Sequence, residues 1–374
     1  MKKEIWNSLL RKTRNLWNQN IDVYSLANAG FFFIAMTKAR IVEILGLEES
    51  DPLVEKVEEA IAVFDRLPTH LSYQIGFSGG KDSHAVVGCY RLWTQLRNQH
   101  LDLIVAFSDT QLEIPDLYQT IDKISCYLES LEIEFSRLYP TDSKAYWWTQ
   151  FVKGYPVPDY RNRWCTNQLK ILPMKASKRI LITGRHYGES QSRDARLKDK
   201  YCGTNECGVD LITEKSVIEP ILNWRNCHVW DFLFYADKSI LYEGIFNELQ
   251  STYAGNTDKS GSLRMGCFMC PVISRNTLKN KASEFDLAIR DSLEHLRSAR
   301  RINSEKTGKK GAIYIGDRHT VWNSLDTTGL QKRGYTTQKE IEAISEAIQD
   351  DYCYPPTYKR EWIESEHHRL LKGG

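Results

Sequence analysis

Residues 71–97 read "LSYQIGFSGGKDSHAVVGCYRLWTQLR". A strand-like apolar run, LSYQIGF (71–77), leads directly into two glycines, and a helix-patterned run, DSHAVVGCYRLWTQLR (82–97), follows. Strand, glycine turn and helix in that order open a parallel α/β unit, in which ligands bind at the carboxyl ends of the strands. Gly79 and Gly80 let backbone N–H groups approach an anion closely. The helix contributes its positive end, Lys81 adds a charge, and Ser78 and Ser83 add hydroxyls. The stretch is therefore expected to hold phosphate. It has neither the Walker A spacing nor the GxGxxG spacing of dinucleotide folds. Ordinary chemistry at a γ-phosphate is thus not expected.

The same alternation continues outward. LDLIVAFSDT (101–110), EIEFSRLYP (132–140), KRILITGRHYG (178–188) and KSVIEPIL (215–222) read as strands, and residues 115–131 and 226–236 as helices. The expected fold is α/β with a parallel sheet. Residues 1–70 read as a helical segment, in which Asp-Pro opens the amphipathic run DPLVEKVEEAIAVFDRL (51–67). Residues 71–240 form the nucleotide-binding domain, 241–280 a cysteine-containing loop or insert, and 281–374 a mostly helical C-terminal region.

Composition fits a soluble globular chain: of 374 residues, 41% are hydrophobic and 26% charged. No apolar run approaches the ~20 residues of a membrane helix. The basic N-terminus lacks the apolar stretch of a signal peptide, so a cytoplasmic location and no membrane contact are expected. The net charge of +2 does not by itself point to nucleic acid. Eight Lys/Arg stand between 290 and 318 (Arg290, Arg297, Arg300, Arg301, Lys306, Lys309, Lys310, Arg318) against four acids. Such a stripe either follows a phosphate backbone or is a solvated helix face. Nine cysteines in a reducing compartment argue against disulfides. Cys89, Cys126, Cys227 and Cys353 lie in apolar or helical patterns and are expected to be buried fillers. Cys165, Cys202, Cys207, Cys267 and Cys270 lie in loop-like sequence, the last two as a CxxC pair.

SGGKDS closely resembles the PP-loop signature, SGGxDS, of ATP pyrophosphatases, which split ATP between its α- and β-phosphates. The resemblance implies that Ser78, Gly79, Gly80, Lys81, Asp82 and Ser83 bind the phosphates of ATP, with Asp82 a contact for Mg²⁺. FSDTQLEIPDLY (107–118) is similar to the second-strand motif of the phosphoadenylyl-sulfate reductase branch, which would place Asp109 and Thr110 near the nucleoside. GRHYGESQSRDAR (184–196) resembles that branch's GxRxxES..R motif. Gly184, Arg185, Glu189 and Arg193 are then site residues, with the arginines clamping phosphate and Glu189 ordering them. Lys81, Asp82, Arg185 and Arg193 are the implied catalytic set. IEPILNWRNCHVWDFL (218–233) matches a later pattern of the same branch and reads as scaffold.

DYRNRWCTNQLKILPM (159–174) and LRMGCFMCPVI (263–273) resemble segments of the DndC-type proteins of bacterial DNA phosphorothioation and of the related Ssp system. That resemblance implies a [4Fe–4S] cluster with Cys165, Cys267 and Cys270 among its ligands; the sequence departs from the family in cysteines near the CxxC pair, and the fourth ligand is open between Cys207 and, as the alternative, Cys202. Three rival readings of these cysteines stand beside it: zinc, a redox or sulfur-carrying thiol at Cys207, and incidental loop cysteines. The resemblance also implies adenylation of a DNA backbone oxygen, sulfur from a cysteine desulfurase, and a role in bacterial defence beside other components of a DNA-modification complex. Three further readings remain open: a sulfonucleotide reductase, a tRNA-thiolating adenylase, and a non-catalytic nucleotide-binding defence protein.

Overall fold

The computed structural model describes residues 37–141, 144–153, 155, 157–159, 162–187, 217–253, 266–271, 273, 278–279, 282–294 and 315–349. After a helical segment at 37–45, Asp51 caps α1 (Pro52–Asp65) by accepting the Leu53 N–H at 2.8 Å, as Asp-Pro foretold. β1 (Ser72–Phe77), α2 (Lys81–Arg97), β2 (Asp102–Ser108), α3 (Pro115–Glu129) and β3 (Phe135–Leu138) follow. A long crossover holds α4 (Tyr146–Phe151), a π-helical turn (Thr166–Ile171) and α5 (Leu172–Ala176) before β4 (Ile180–Ile182). β5 (Val217–Ile218), α6 (Asn226–Ala236) and α7 (Ile245–Tyr253) come next, then α8 (Ile315–Ser324), α9 (Thr327–Lys332) and α10 (Gln338–Gln349).

The five strands form one sheet in the order β3-β2-β1-β4-β5, and every pairing is parallel. This is the expected α/β fold. From β1 the chain winds outward through β2 to β3, then crosses back to the other side of β1. The reversal leaves a crevice between the carboxyl ends of β1 and β4, where open α/β sheets bind their ligands.

Burial explains the sequence pattern. β1 and β2 are almost continuously buried, as parallel strands covered on both faces must be. The one large polar side chain in β1, Gln74, is satisfied: it donates to Met174 O at 2.8 Å and accepts from the Ser177 hydroxyl at 2.7 Å. α2 is buried from Ser83 to Thr94, packed between α1 and α6. Its far end is tied to α1 by Arg97, which holds both carboxylate oxygens of Asp65 at 2.8 Å. The C-terminal helices dock on the crossover: Trp147 donates to Tyr335 O at 2.9 Å and Phe151 meets the Trp322 ring at 5.0 Å.

Three expectations need correcting. The segment from 241 is not only loop, because α7 forms within it and buries Ile245, Leu249, Thr252 and Tyr253 along one face. Cys89 is buried as expected, but Cys126 and Cys227 are exposed. Cys126 falls on the outward face of α3, whose core positions are Leu117, Thr120, Ile121, Ile124 and Leu128. Arg290, counted in the basic stripe, is buried and unavailable to an external phosphate. The other stripe residues lie outside the described side chains. No described helix is long and apolar enough to cross a membrane.

Candidate active site

The glycine loop leaves β1 at the crevice. Gly79 has φ +73°, and a Cβ there would lie 2.2 Å from Leu117 Cδ1, so both backbone shape and space demand glycine. The loop closes on itself. Ser83 Oγ donates to Gly80 O at 2.8 Å and accepts from Ser78 N at 3.3 Å. The fully buried His84 presents Nδ1 to the same carbonyl at 3.0 Å. Burial pushes His84 down to about 4, so the ring is neutral and Nδ1 carries the hydrogen it donates. With the Gly80 carbonyl held inward, the start of α2 turns its positive end to an anion, its first amide, Lys81 N–H, meeting the Tyr253 hydroxyl at 3.3 Å.

Positive charge gathers beside them. Asp82 Oδ1 accepts from Lys81 Nζ at 2.5 Å and from His186 Nε2 at 3.2 Å. His186 Nδ1 meets Tyr187 O at 2.9 Å. A carbonyl and an ionised carboxylate only accept, so this pair of partners favours hydrogen on both His186 nitrogens, the imidazolium form. Burial opposes that charge, but the Asp82 and Tyr187 hydrogen bonds outweigh it and raise the His186 pKa. Burial would likewise raise Asp82, yet the His186 bond and the Lys81 charge hold it below its ordinary value. Gly184 allows this meeting: a Cβ there would lie 2.6 Å from Asp82 O. Arg185, next in the chain, forms an ion pair with Glu219, which is buried just beyond β5.

The CxxC pair sits beyond β2. Cys267 bridges to Glu113, and Phe268 N donates to Leu112 O at 2.9 Å. Arg290 fastens the loop from the other side, donating to Phe268 O at 2.7 Å, Ile273 O at 3.1 Å and Cys270 O at 3.3 Å. The Cys267 thiol is raised by its hydrogen bond to Cys270 and by burial. Cys165 is raised by burial and by the nearby Cys270. Lys170 lies 3.5 Å from the buried Glu113, whose charge raises its pKa.

A family model for the phosphoadenosine phosphosulfate reductase domain matches residues 72–273, from the first residue of β1 to just past the CxxC loop. The chain belongs to this family. It is also 30% identical over 237 residues to the uncharacterized protein MJ0973 of Methanocaldococcus jannaschii, covering 60% of this chain and 49% of that one. MJ0066 of the same organism is 26% identical over 219 residues, covering 56% and 38%. The chain thus spans about half or less of the length of these curated relatives.

For a reductase-family domain, the expected residues divide cleanly. Ser78, Gly79, Gly80, Lys81, Asp82, Ser83, Gly184 and Arg185 come together at the β1–β4 crevice. Asp109 and Thr110 stand at the end of β2 but are buried and committed locally. Asp109 accepts from Gln111 N at 2.7 Å and Tyr118 Oη at 2.8 Å, and Thr110 donates to Glu113 at 2.9 Å. Glu189, Arg193, Cys202 and Cys207 lie outside the described residues. His84, His186, Glu219 and Arg290 were missed. Two carried a signal: His186 stands inside the GRHYGES motif beside Arg185, and Glu219 is the acid inside the motif read as scaffold.

The donor sets decide which metals fit. Asp82 is shared by two cations, so it does not suit a protein-held Mg²⁺, and the ion would have to arrive on nucleotide phosphates. Cys165, Cys267 and Cys270 offer three thiols to a soft metal, although no group of three metal-ligating residues forms among the described residues.

Proposed function

We propose that the chain is an ATP pyrophosphatase that adenylates a backbone oxygen of DNA for sulfur insertion, in the manner of DndC-type proteins. The carrying observation is that the cation-rich glycine loop leaves the carboxyl end of β1 while the CxxC loop pairs with the turn that follows the carboxyl end of the adjacent β2. Nucleotide binding belongs to the family. ATP as the substrate and DNA as the acceptor are this reading's own.

A non-bridging oxygen of the DNA phosphate attacks the α-phosphorus of ATP. The bond from that phosphorus to the β-bridging oxygen breaks, and pyrophosphate leaves. Lys81, the α2 amides and Arg185 take up the charge that develops on the transferring phosphates. His186 acts through Asp82: it fixes the carboxylate that holds the Lys81 ammonium. Sulfide, freed from a cysteine desulfurase's persulfide by a thiol reductant, then attacks the DNA phosphorus. The P–S bond forms as the P–O bond to the adenylate breaks, and AMP departs with that oxygen. Cys165, Cys267 and Cys270, with Cys207 or Cys202, would hold a [4Fe–4S] cluster or zinc. A cluster would supply redox or sulfur-binding chemistry, and zinc only a structural clamp.

The test is product analysis with ATP and DNA together. Pyrophosphate and AMP formed in step with sulfur incorporation into DNA support the reading. Sulfite released from adenylyl sulfate would replace it with reductase chemistry, and sulfur found in tRNA would replace the acceptor.

A further inference from the structure

The two loop glycines have different reasons to be glycine. Gly79 has the left-handed backbone, but Gly80 has φ −87° and ψ 167°, which any residue adopts. Its missing side chain needs another cause. A Cβ at Gly80 would lie 2.9 Å from the hydroxyl oxygen of Tyr253, closer than real Cβ contacts come. Tyr253 is the last residue of α7, and its buried ring stands at 90° to Trp230 of α6, 5.5 Å between centroids. Trp230 in turn packs edge-on against Phe246 at 6.0 Å. So held, the Tyr253 hydroxyl accepts the Lys81 N–H at 3.3 Å.

That N–H is one of the amides at the start of α2 that an anion would take. A phenol oxygen accepts and also donates one proton. We propose that Tyr253 is a phosphate-binding residue of the glycine loop: it accepts the Lys81 N–H and donates its own proton to a phosphoryl oxygen of a bound adenine nucleotide. Gly80 is glycine because it gives that hydroxyl room. The inference rests on the loop being a nucleotide-phosphate cradle. It gives Trp230, the second Trp of the 218–233 motif, a task in the site, as the wall that aims Tyr253.

The experiment is titration calorimetry on the full chain with Mg²⁺ and α,β-methylene-ATP, which resists α–β cleavage, and separately with adenosine, which has no phosphate. Tyr253→Phe keeps the ring and removes the hydroxyl. It should weaken the analogue about tenfold, the scale of one hydrogen bond to a charged group, and leave adenosine unchanged. Gly80→Ala should weaken the analogue to a similar extent. Added to Tyr253→Phe it should cost less than about twofold more, because the clashing oxygen is gone. Unchanged or tighter binding by Tyr253→Phe overturns the proposal, tighter binding meaning that the hydroxyl blocks the cradle. Fully additive effects of the two substitutions overturn it as well. If the wild-type chain binds neither the analogue nor adenylyl sulfate, the cradle reading falls first, and that failure is distinct from a Tyr253 result.

Discussion

The glycine loop and the cysteine loop stand by the ends of adjacent strands, yet they are built in different ways. Ser78, Gly80, Ser83 and His84, all from one short stretch, exchange the bonds that shape the first. The second turns on its own bonds from Cys270 N to Cys267 O and from Ile273 N to Cys270 O, but it is also fastened from afar, by Leu112 and Glu113 in the turn after β2 and by Arg290 from the helical stretch 284–294. Cations gather at the first and thiols at the second. The first loop's turn is closed by its own bonds, and among the described residues distant groups hydrogen-bond to it only through Lys81 and Asp82. A loop fastened by distant groups depends on the whole fold, and its thiol chemistry can be lost while the phosphate site survives.

The sharpest break between the two should come from Lys81→Ala. It removes charge from the phosphate site alone and should lower pyrophosphate release by about a thousandfold, with circular dichroism and thiol content unchanged. A variant that still cleaves ATP at the wild-type rate would dissociate the loop from the chemistry. Arg290→Met should do the reverse. Three carbonyls lose a donor, so thermal stability should fall by about 3 kcal/mol and Cys267 and Cys270 should react faster with a thiol reagent. Nucleotide affinity should stay within about twofold of wild type, since the glycine loop closes itself. Glu219→Gln frees Arg185 without touching the loop and should raise the KM for ATP about tenfold while changing kcat less.

The Asp82–His186 pair adds a pH signature that only the first region carries. The folded His186 pKa is raised above its unfolded value of about 6.5. Its contribution to stability is therefore fully present below that value and is lost as pH rises through the folded pKa. Asp82 is lowered, so its contribution is present above the unfolded carboxylate value and is lost as pH falls through the folded one. The stability gap between wild type and His186→Gln, followed by urea denaturation, should be widest between these two limits and shrink on the alkaline side. A gap that widens with alkalinity would contradict an imidazolium. The smallest effect is expected from the exposed cysteines: Cys126→Ser and Cys227→Ser should shift stability by no more than about 0.5 kcal/mol.

The same contrast decided what a single sequence could reveal. Strand, glycines and helix are adjacent in the chain, so the sheet, the crevice and the identity of Gly79 were legible from spacing and backbone rules. The partners of that loop were not. His186 reaches Asp82 across 104 positions, and Tyr253 reaches Lys81 across 172. A histidine, a tyrosine or a buried arginine has no local pattern that marks it as a partner. Arg290 shows the cost: read along the chain it belongs to a basic stripe, but in space it donates to three carbonyls of the cysteine loop. Asp109 shows the converse. Its motif resemblance implied a place near the nucleoside, and its hydrogen bonds to Gln111 and Tyr118, which brace the turn, are visible only in space.

Cleavage of ATP between its α- and β-phosphates at the glycine loop is tested most directly by following the fate of ATP labelled in the γ-phosphate, in the presence of DNA and Mg²⁺. Label recovered as pyrophosphate, with an equal amount of adenylate on DNA or as AMP, and lost in Lys81→Ala, is the expected result. Label recovered as inorganic phosphate beside ADP would contradict the account.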